Sequence, residues 1–302
     1  MDPVAAARRL APYAKCPTPL VRSLLLSAQF GCDLWVKNET VSPIASFKWR
    51  GALNDILREP TAAVVTSSTG NHGQGVAWAA RVAGVTAHVF LPHGANAVKR
   101  AKIELLGATI HDVGADLDDA KRHAMELARD EGLRFIDDGD SAGVIEGAGT
   151  VGVEIARELE HVDVVYVPMG SGSLAAGVGM AMPQARIIAV QAKGSPAMVE
   201  SFHARRAIER PIDTIADGLV CRVPAKLALD ALIEHVDEAM TVTDDELLAA
   251  TRAMILGAHL LVEPSGAAGL AAAMKHDLRG KIAVVIATGA NITAEVLGRL
   301  HA

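Results

Sequence analysis

Lys48 stands in the run Ser46-Phe47-Lys48-Trp49-Arg50-Gly51-Ala52, where a strand-like stretch gives way to a helical one. A lysine at the mouth of a helix lies beside the positive end of the dipole, which disfavours an ammonium. Burial among aromatic neighbours pushes the same way, toward the neutral amine that forms a Schiff base with an aldehyde. A second run, Ser67-Ser68-Thr69-Gly70-Asn71-His72-Gly73, sits between a short β-branched stretch and an Ala-rich one. Small hydroxyl residues at a helix start offer backbone N–H groups and hydroxyls to an anion, carboxylate or phosphate alike. Asn71 adds an amide able to bond a phenolate oxygen. The third run, Gly170-Ser171-Gly172-Ser173-Leu174, opens an Ala/Gly-rich stretch and reads as a phosphate cradle. With Ala175 it also fits the GxGxxA dinucleotide fingerprint, which expects an acidic residue at the end of the next strand to hold a ribose. That strand ends in Gln191, Ala192 and Lys193, so a phosphate monoester is preferred. Two further runs complete the set: Val262-Glu263-Pro264-Ser265-Gly266-Ala267, a carboxylate before a helix start, and Ile286-Ala287-Thr288-Gly289-Ala290-Asn291 at the end of a strand.

These runs need elements to hold them. Strand-like stretches at 34–37, 63–66, 86–91, 109–112, 162–168, 187–191 and 282–287 alternate with helical ones at 50–58, 73–83, 95–106, 116–131, 150–158, 173–182 and 244–256. Such a rhythm predicts an α/β fold, a parallel sheet with helices on both faces and right-handed crossovers. Ligands of open parallel sheets sit outside the carboxyl ends of the strands, where the strand-ending runs all fall. Thr243, followed by Asp244, Asp245 and Glu246, marks a helix start. Residues 194–221, with Pro196 and Pro211, read as a long irregular connection of the kind that carries function.

Composition narrows the class. Of 302 residues half are hydrophobic but only 3% aromatic, so the core is built from Ala, Val, Leu and Ile, as α/β proteins allow. A formal net charge of -6 provides no cation excess for phosphate backbones and argues against nucleic acid. Cys16, Cys32 and Cys221 fit neither a zinc site nor a disulfide framework, which points to a reducing compartment. With no signal peptide and no long apolar run, a soluble cytoplasmic protein without a membrane partner is expected.

Together the five runs resemble the fold-type II pyridoxal-phosphate (PLP) enzymes of the threonine/serine dehydratase and serine racemase family. The likeness extends from Thr18-Pro19-Leu20 to residues 288–291 in the family's order. It implies two domains, each with a largely parallel twisted sheet flanked by helices (tryptophan synthase β-like): a large PLP-binding domain from 1–59 plus 143–302 and a small one from 60–142. Lys48 would be the Schiff-base lysine and Phe47 would lie against the cofactor. Asn71 would bond the ring hydroxyl, Gly170, Ser171, Gly172, Ser173 and Leu174 the phosphate, and Thr288 the pyridine nitrogen, with Gly218 lining the ring. Ser68, Thr69, Asn71 and His72 would hold the carboxylate of a small amino-acid substrate, and the molecule would be a homodimer.

The implied activity is that of an ammonia-lyase turning a β-hydroxy amino acid such as threonine or serine into a 2-oxo acid and ammonia, with Lys48 removing the α-proton. Thr69 stands where serine racemases carry a serine that protonates the opposite face of Cα, so racemisation is the near alternative, with a threonine-synthase-like replacement beside it. Residues 191–198 contain no Asp or Glu, so no metal site is expected there. The family's C-terminal regulatory domain is not expected either. A NAD-dependent oxidoreductase is the rival from another class, and a PLP-free binding module a third possibility. Selectivity is expected from the walls at 137–142 and 194–221, where a basic residue would point to a dicarboxylic substrate.

Overall fold

The computed structural model describes residues 1–13 and 17–301. Among the described residues, ten strands make two sheets. The larger contains β1 (Leu20–Arg22), β2 (Asp33–Asn38), β7 (Val164–Pro168), β8 (Arg186–Ala192), β9 (Glu238–Val242) and β10 (Ile282–Ala287), ordered β1-β2-β10-β7-β8-β9. Only β1 runs antiparallel, pairing Val21 with Val36. The smaller sheet, β5-β4-β3-β6, is parallel throughout and takes every strand from the middle of the chain: β3 (Ala63–Ser67), β4 (Thr86–Leu91), β5 (Thr109–Asp112) and β6 (Arg134–Phe135). The expected α/β architecture with two largely parallel, helix-flanked sheets is the one observed.

Burial explains the central strands. β7 and β10 are nearly continuous apolar runs because both faces of the sheet are covered. Val165, Val167, Val284 and Ile286 face one core with helices Ala142–Glu158 and Ser173–Ala181. Val164, Tyr166 and Val285 face the other with helix Pro264–Ala273, whose ten residues are all buried.

Two expectations are corrected. Residues 194–221 are not wholly irregular, since helix Ala197–Ala204 starts directly after Pro196 and buries Met198, Val199 and Ser201. Helix Ala142–Glu158 begins eight residues before the expected 150. Its glycines look like breakers, yet a Cβ on Gly147 would fall 2.3 Å from the Arg50 carbonyl oxygen and one on Gly149 2.6 Å from that of Gly177. Close helix packing here outweighs intrinsic propensity. The start at Thr243 stands as expected, with a reciprocal capping box to Glu246. Cys32 and Cys221 are free thiols, and Cys16 lies outside the described residues.

Candidate active site

Lys48 is the first residue of helix Lys48–Arg58, which has no side-chain cap. The preceding turn is sewn to the end of β10: Phe47 N–H donates to the Thr288 carbonyl at 3.0 Å, and Ser46 bridges Gly289. Phe47 is buried, and Lys48 Nζ lies 5.0 Å from the centre of its ring. Two residues on, Arg50 locks the helix start into a buried ionic cluster. Its guanidinium donates to Glu39, Glu154, Thr18 and Thr150 at 2.7–3.1 Å, while Lys37 pairs with Glu154 at 2.7 Å. The lysine's backbone is thus fixed from β2, β10 and helix Ala142–Glu158 together.

The Lys48 side chain reaches a partner the sequence did not announce. Its Nζ donates to both carboxylate oxygens of Asp138, at 2.5 Å to Oδ2. His72 Nε2 donates to the Ile136 carbonyl at 3.2 Å, and its Nδ1 lies 3.4 Å from Asp138 Oδ1. Burial alone would raise the Asp138 carboxyl, but Lys48 and His72 outweigh it and hold the group down at about 2. The neutral lysine expected from the helix dipole and burial therefore meets an opposing ion pair.

Two uncapped helix starts face this cluster. Gly172 adopts φ +96°, a left-handed conformation natural to glycine, and no side chain caps the helix Ser173–Ala181 behind it. Ser171 Oγ donates to the Asp138 carbonyl at 3.2 Å and lies 3.4 Å from Ser173 Oγ, so the cradle directly adjoins Asp138. The Leu174 side chain is buried in the core, which leaves only its backbone for an anion. Helix Asn71–Ala83 likewise starts on Gly70 without a side-chain cap. Ser68 Oγ accepts from Gly70 N–H at 3.2 Å and shapes that turn, whereas the Thr69 hydroxyl makes no hydrogen bond among the described residues.

Asn71 is fixed at both ends of its amide: Nδ2 donates to Glu263 Oε1, and Oδ1 accepts from Asn291, each at 2.7 Å. One N–H of Nδ2 therefore remains for a ligand. Glu263 precedes helix Pro264–Ala273 but does not cap it with its side chain. Burial pushes its carboxyl up to about 7 despite the bond from Asn71. Gly218 N–H donates to Ser265 Oγ at 2.9 Å, and a Cβ on Gly170 would come within 2.7 Å of the Gly218 carbonyl oxygen, so the two backbones pack in close contact. Buried Thr288 has no hydroxyl partner among the described residues. A cavity of about 150 Å³ adjoins Asn71, Gln74, Gly218 and Glu263 without touching Lys48.

Most residues named from sequence therefore meet around one cleft. Asp138, Asn291 and the Glu263–Asn71 bond were not foreseen. The only signal for Asp138 was an acidic doublet, Asp137-Asp138, in a stretch expected to form a pocket wall. Gln191 is no ribose ligand: it is buried, donating to the Leu219 carbonyl and accepting from Val199 N–H.

The residues fit a phosphorylated pyridine aldehyde. A glycine-lined anion cradle, an amine, a spare amide N–H and the unpartnered hydroxyl of Thr288 suit phosphate, aldehyde carbon, ring hydroxyl and ring nitrogen in turn. Comparison with known proteins agrees. A family model described as pyridoxal-phosphate dependent enzyme matches residues 12–289. The chain is 34% identical over 295 residues to the L-threonine ammonia-lyase of Thermotoga maritima, covering 94% of this chain and 73% of that one. It is 33% identical to the threonine dehydratase of Nicotiana attenuata over 91% of this chain, and spans about half (48%) of that longer relative. The structure of maize serine racemase superposes with a TM-score of 0.92 at 30% identity, covering 98% of this chain and 94% of that one. The processed form of threonine deaminase isoform 2 from Solanum lycopersicum gives 0.90 at 30% identity, over 99% and 93%.

Proposed function

Because the chain belongs to the family of pyridoxal-phosphate dependent enzymes, we propose that it is an ammonia-lyase that converts a β-hydroxy amino acid such as threonine or serine to a 2-oxo acid and ammonia. The observation that carries this reading is the meeting of Lys48, Thr288 and two uncapped helix starts at the carboxyl ends of β3, β7 and β10. Gly170, Ser171, Gly172, Ser173 and the Leu174 backbone would hold the cofactor's phosphate. Phe47 and Gly218 would line its ring, Asn71 would donate to its hydroxyl, and Thr288 would face its nitrogen. When bound, the cofactor supplies the electron sink that acidifies the substrate's Cα–H bond.

The remaining roles belong to the chain. Lys48 Nζ takes the α-proton as general base. Ser68, Thr69, Asn71 and His72 surround the start of helix Asn71–Ala83, where backbone N–H groups and the dipole bind and orient the substrate carboxylate. Thr288 presents a hydroxyl, which cannot keep a ring nitrogen protonated as a carboxylate would. That limits charge build-up and favours loss of a β-substituent over transamination.

Racemisation is the second reading. It rests on the half-buried Thr69, whose hydroxyl has no partner among the described residues and so is free to carry a proton. The deciding experiment incubates the cofactor-loaded enzyme with a panel of L- and D-hydroxy amino acids and follows 2-oxo acid and enantiomer over time. No 2-oxo acid from any of them ends the lyase reading, and an enantiomer accumulating ahead of 2-oxo acid favours the racemase.

We further infer a large domain of residues 1–59 plus 143–302 and a small one of 60–142, since all strands of the smaller sheet fall within 63–135. A homodimer is supported by the exposed Leu24, Leu25 and Leu256, and a cytoplasmic location by the free Cys32 and Cys221. Among the described residues no helix is long and apolar enough to cross a membrane.

A further inference from the structure

We propose that Asp138 is the counter-ion of Lys48 during turnover: it holds the lysine's ammonium in the cofactor-free chain and receives it again each time Lys48 has taken the substrate's α-proton. The second half rests on the lyase reading above. The first does not.

Asp138 lies in the loop between β6 and helix Ala142–Glu158, and the loop is built to aim it. Asp137 Oδ1 accepts from the N–H groups of Gly139 and Asp140 at 2.8 and 2.9 Å, and Asp137 Oδ2 pairs with Lys121 at 2.6 Å. Asp137 N–H donates to Ser141 Oγ at 2.9 Å, and the Asp138 carbonyl is held by Ser171. The carboxylate between these anchors projects onto Lys48 Nζ with both oxygens. Lys48 and His72 face it directly. Asp137 lies along its own loop, Lys121 reaches that loop from helix Leu117–Asp130, and the Cys221 thiol, pushed up to about 12 by burial and then by Asp138, approaches from the far connection.

An opposite charge in contact favours the charged partner, whereas capture of an aldehyde needs an uncharged amine. Asp138 therefore acts with opposite signs at two moments. Before loading, it opposes attachment of the cofactor to Lys48. During turnover the proton moves from Cα to Nζ and the C–H electron pair stays with the substrate. Asp138 then stabilises the ammonium that results. Asp138 does not touch the reacting carbon in this scheme and is a positioning residue.

The test compares the wild type with Asp138→Asn, Asp138→Glu and Glu160→Gln, an exposed acid outside the site. Protein stripped of cofactor is titrated with pyridoxal phosphate at pH 7, followed by absorbance, and 2-oxo acid release is measured against pH. Asp138→Asn is expected to bind the cofactor about tenfold more tightly. Its kcat is expected to fall roughly 10–100-fold, with kcat/KM rising from a lower pH than in the wild type. Asp138→Glu should recover most of the loss, and Glu160→Gln should change neither quantity. Weaker cofactor binding by Asp138→Asn, or an unchanged kcat, overturns the proposal. If no hydroxy amino acid is turned over, the lyase reading fails on its own, and the binding titration still decides whether Asp138 holds the lysine.

Discussion

Replacing Arg50 by Met should cost the fold about 3–5 kcal/mol, the loss expected when one member of a buried ion cluster is removed. The arithmetic is local. Lys37 and Arg50 balance Glu39 and Glu154, and no side chain of the four is more than 7% exposed. Six hydrogen-bond contacts from one guanidinium disappear with the substitution, leaving Glu154 to Lys37 and Glu39 to the Thr18 hydroxyl. Glu154 gives an independent gauge. Burial would raise its carboxyl, but Arg50 and then Lys37 draw it from 4.5 down to about 2, an interaction worth about 3 kcal/mol. Because that value is lowered in the folded state, the stabilisation is present above pH 4.5 and lost as pH falls toward 2. Urea unfolding followed by circular dichroism should therefore show a large deficit at pH 7 that shrinks below pH 4. The exposed Arg122→Ala, which breaks pairs with Asp119 and Glu126, should cost far less, because water screens such pairs. A deficit for Arg50→Met no larger than that of Arg122→Ala, or one that does not narrow in acid, would refute the reasoning.

Other consequences are as direct. Glu263, raised by burial from 4.5 to about 7, contributes stability below pH 4.5 that is lost as pH rises through 7. Glu263→Gln should thus match the wild type at pH 4 and exceed it by about 3 kcal/mol at pH 8 in the same unfolding assay, and a pH-independent difference would contradict this. Gly172→Ala places a Cβ 2.6 Å from Leu232 Cδ1 at a positive φ. It should weaken pyridoxal phosphate binding about 10–100-fold by titration, through about 1–3 kcal/mol of strain in the cradle. Gly147→Ala forces a methyl to within 2.3 Å of the Arg50 carbonyl oxygen and should cost at least about 1–3 kcal/mol on unfolding. Gly298→Ala, with nothing within 4 Å, should be neutral or mildly stabilising.

What could be seen in the sequence divides along physical lines. The central strands were legible because burial on both faces writes itself as continuous Val/Ile runs, and Thr243 because a capping box is a local signal. The cradle at 170–174 and the turn at 68–73 were legible for the same reason: a helix start that binds an anion needs small residues at consecutive positions. Strands β1, β6 and β9 were missed, being short or weakly apolar. The first half of helix Ala142–Glu158 was missed because its glycines serve contacts distant in sequence, with Arg50 upstream and Gly177 downstream. The Lys48–Asp138 pair spans ninety residues, and the Asn71–Glu263 bond nearly two hundred. No local pattern encodes either. Glu263, legible only as a carboxylate before a helix start, supports the site through its bond to Asn71 and does not cap the helix with its side chain.

The central claim is that Lys48 carries the cofactor, and reduction tests it most directly. The loaded protein is treated with borohydride, digested and mapped by mass spectrometry. The account predicts that the reduced pyridoxyl phosphate is found on the peptide containing Lys48 and nowhere else. It also predicts that Lys48→Ala yields no labelled peptide and releases no 2-oxo acid. Label on a different lysine, such as Lys99 or Lys102 beside the neighbouring cavity, or turnover that survives Lys48→Ala, would contradict it.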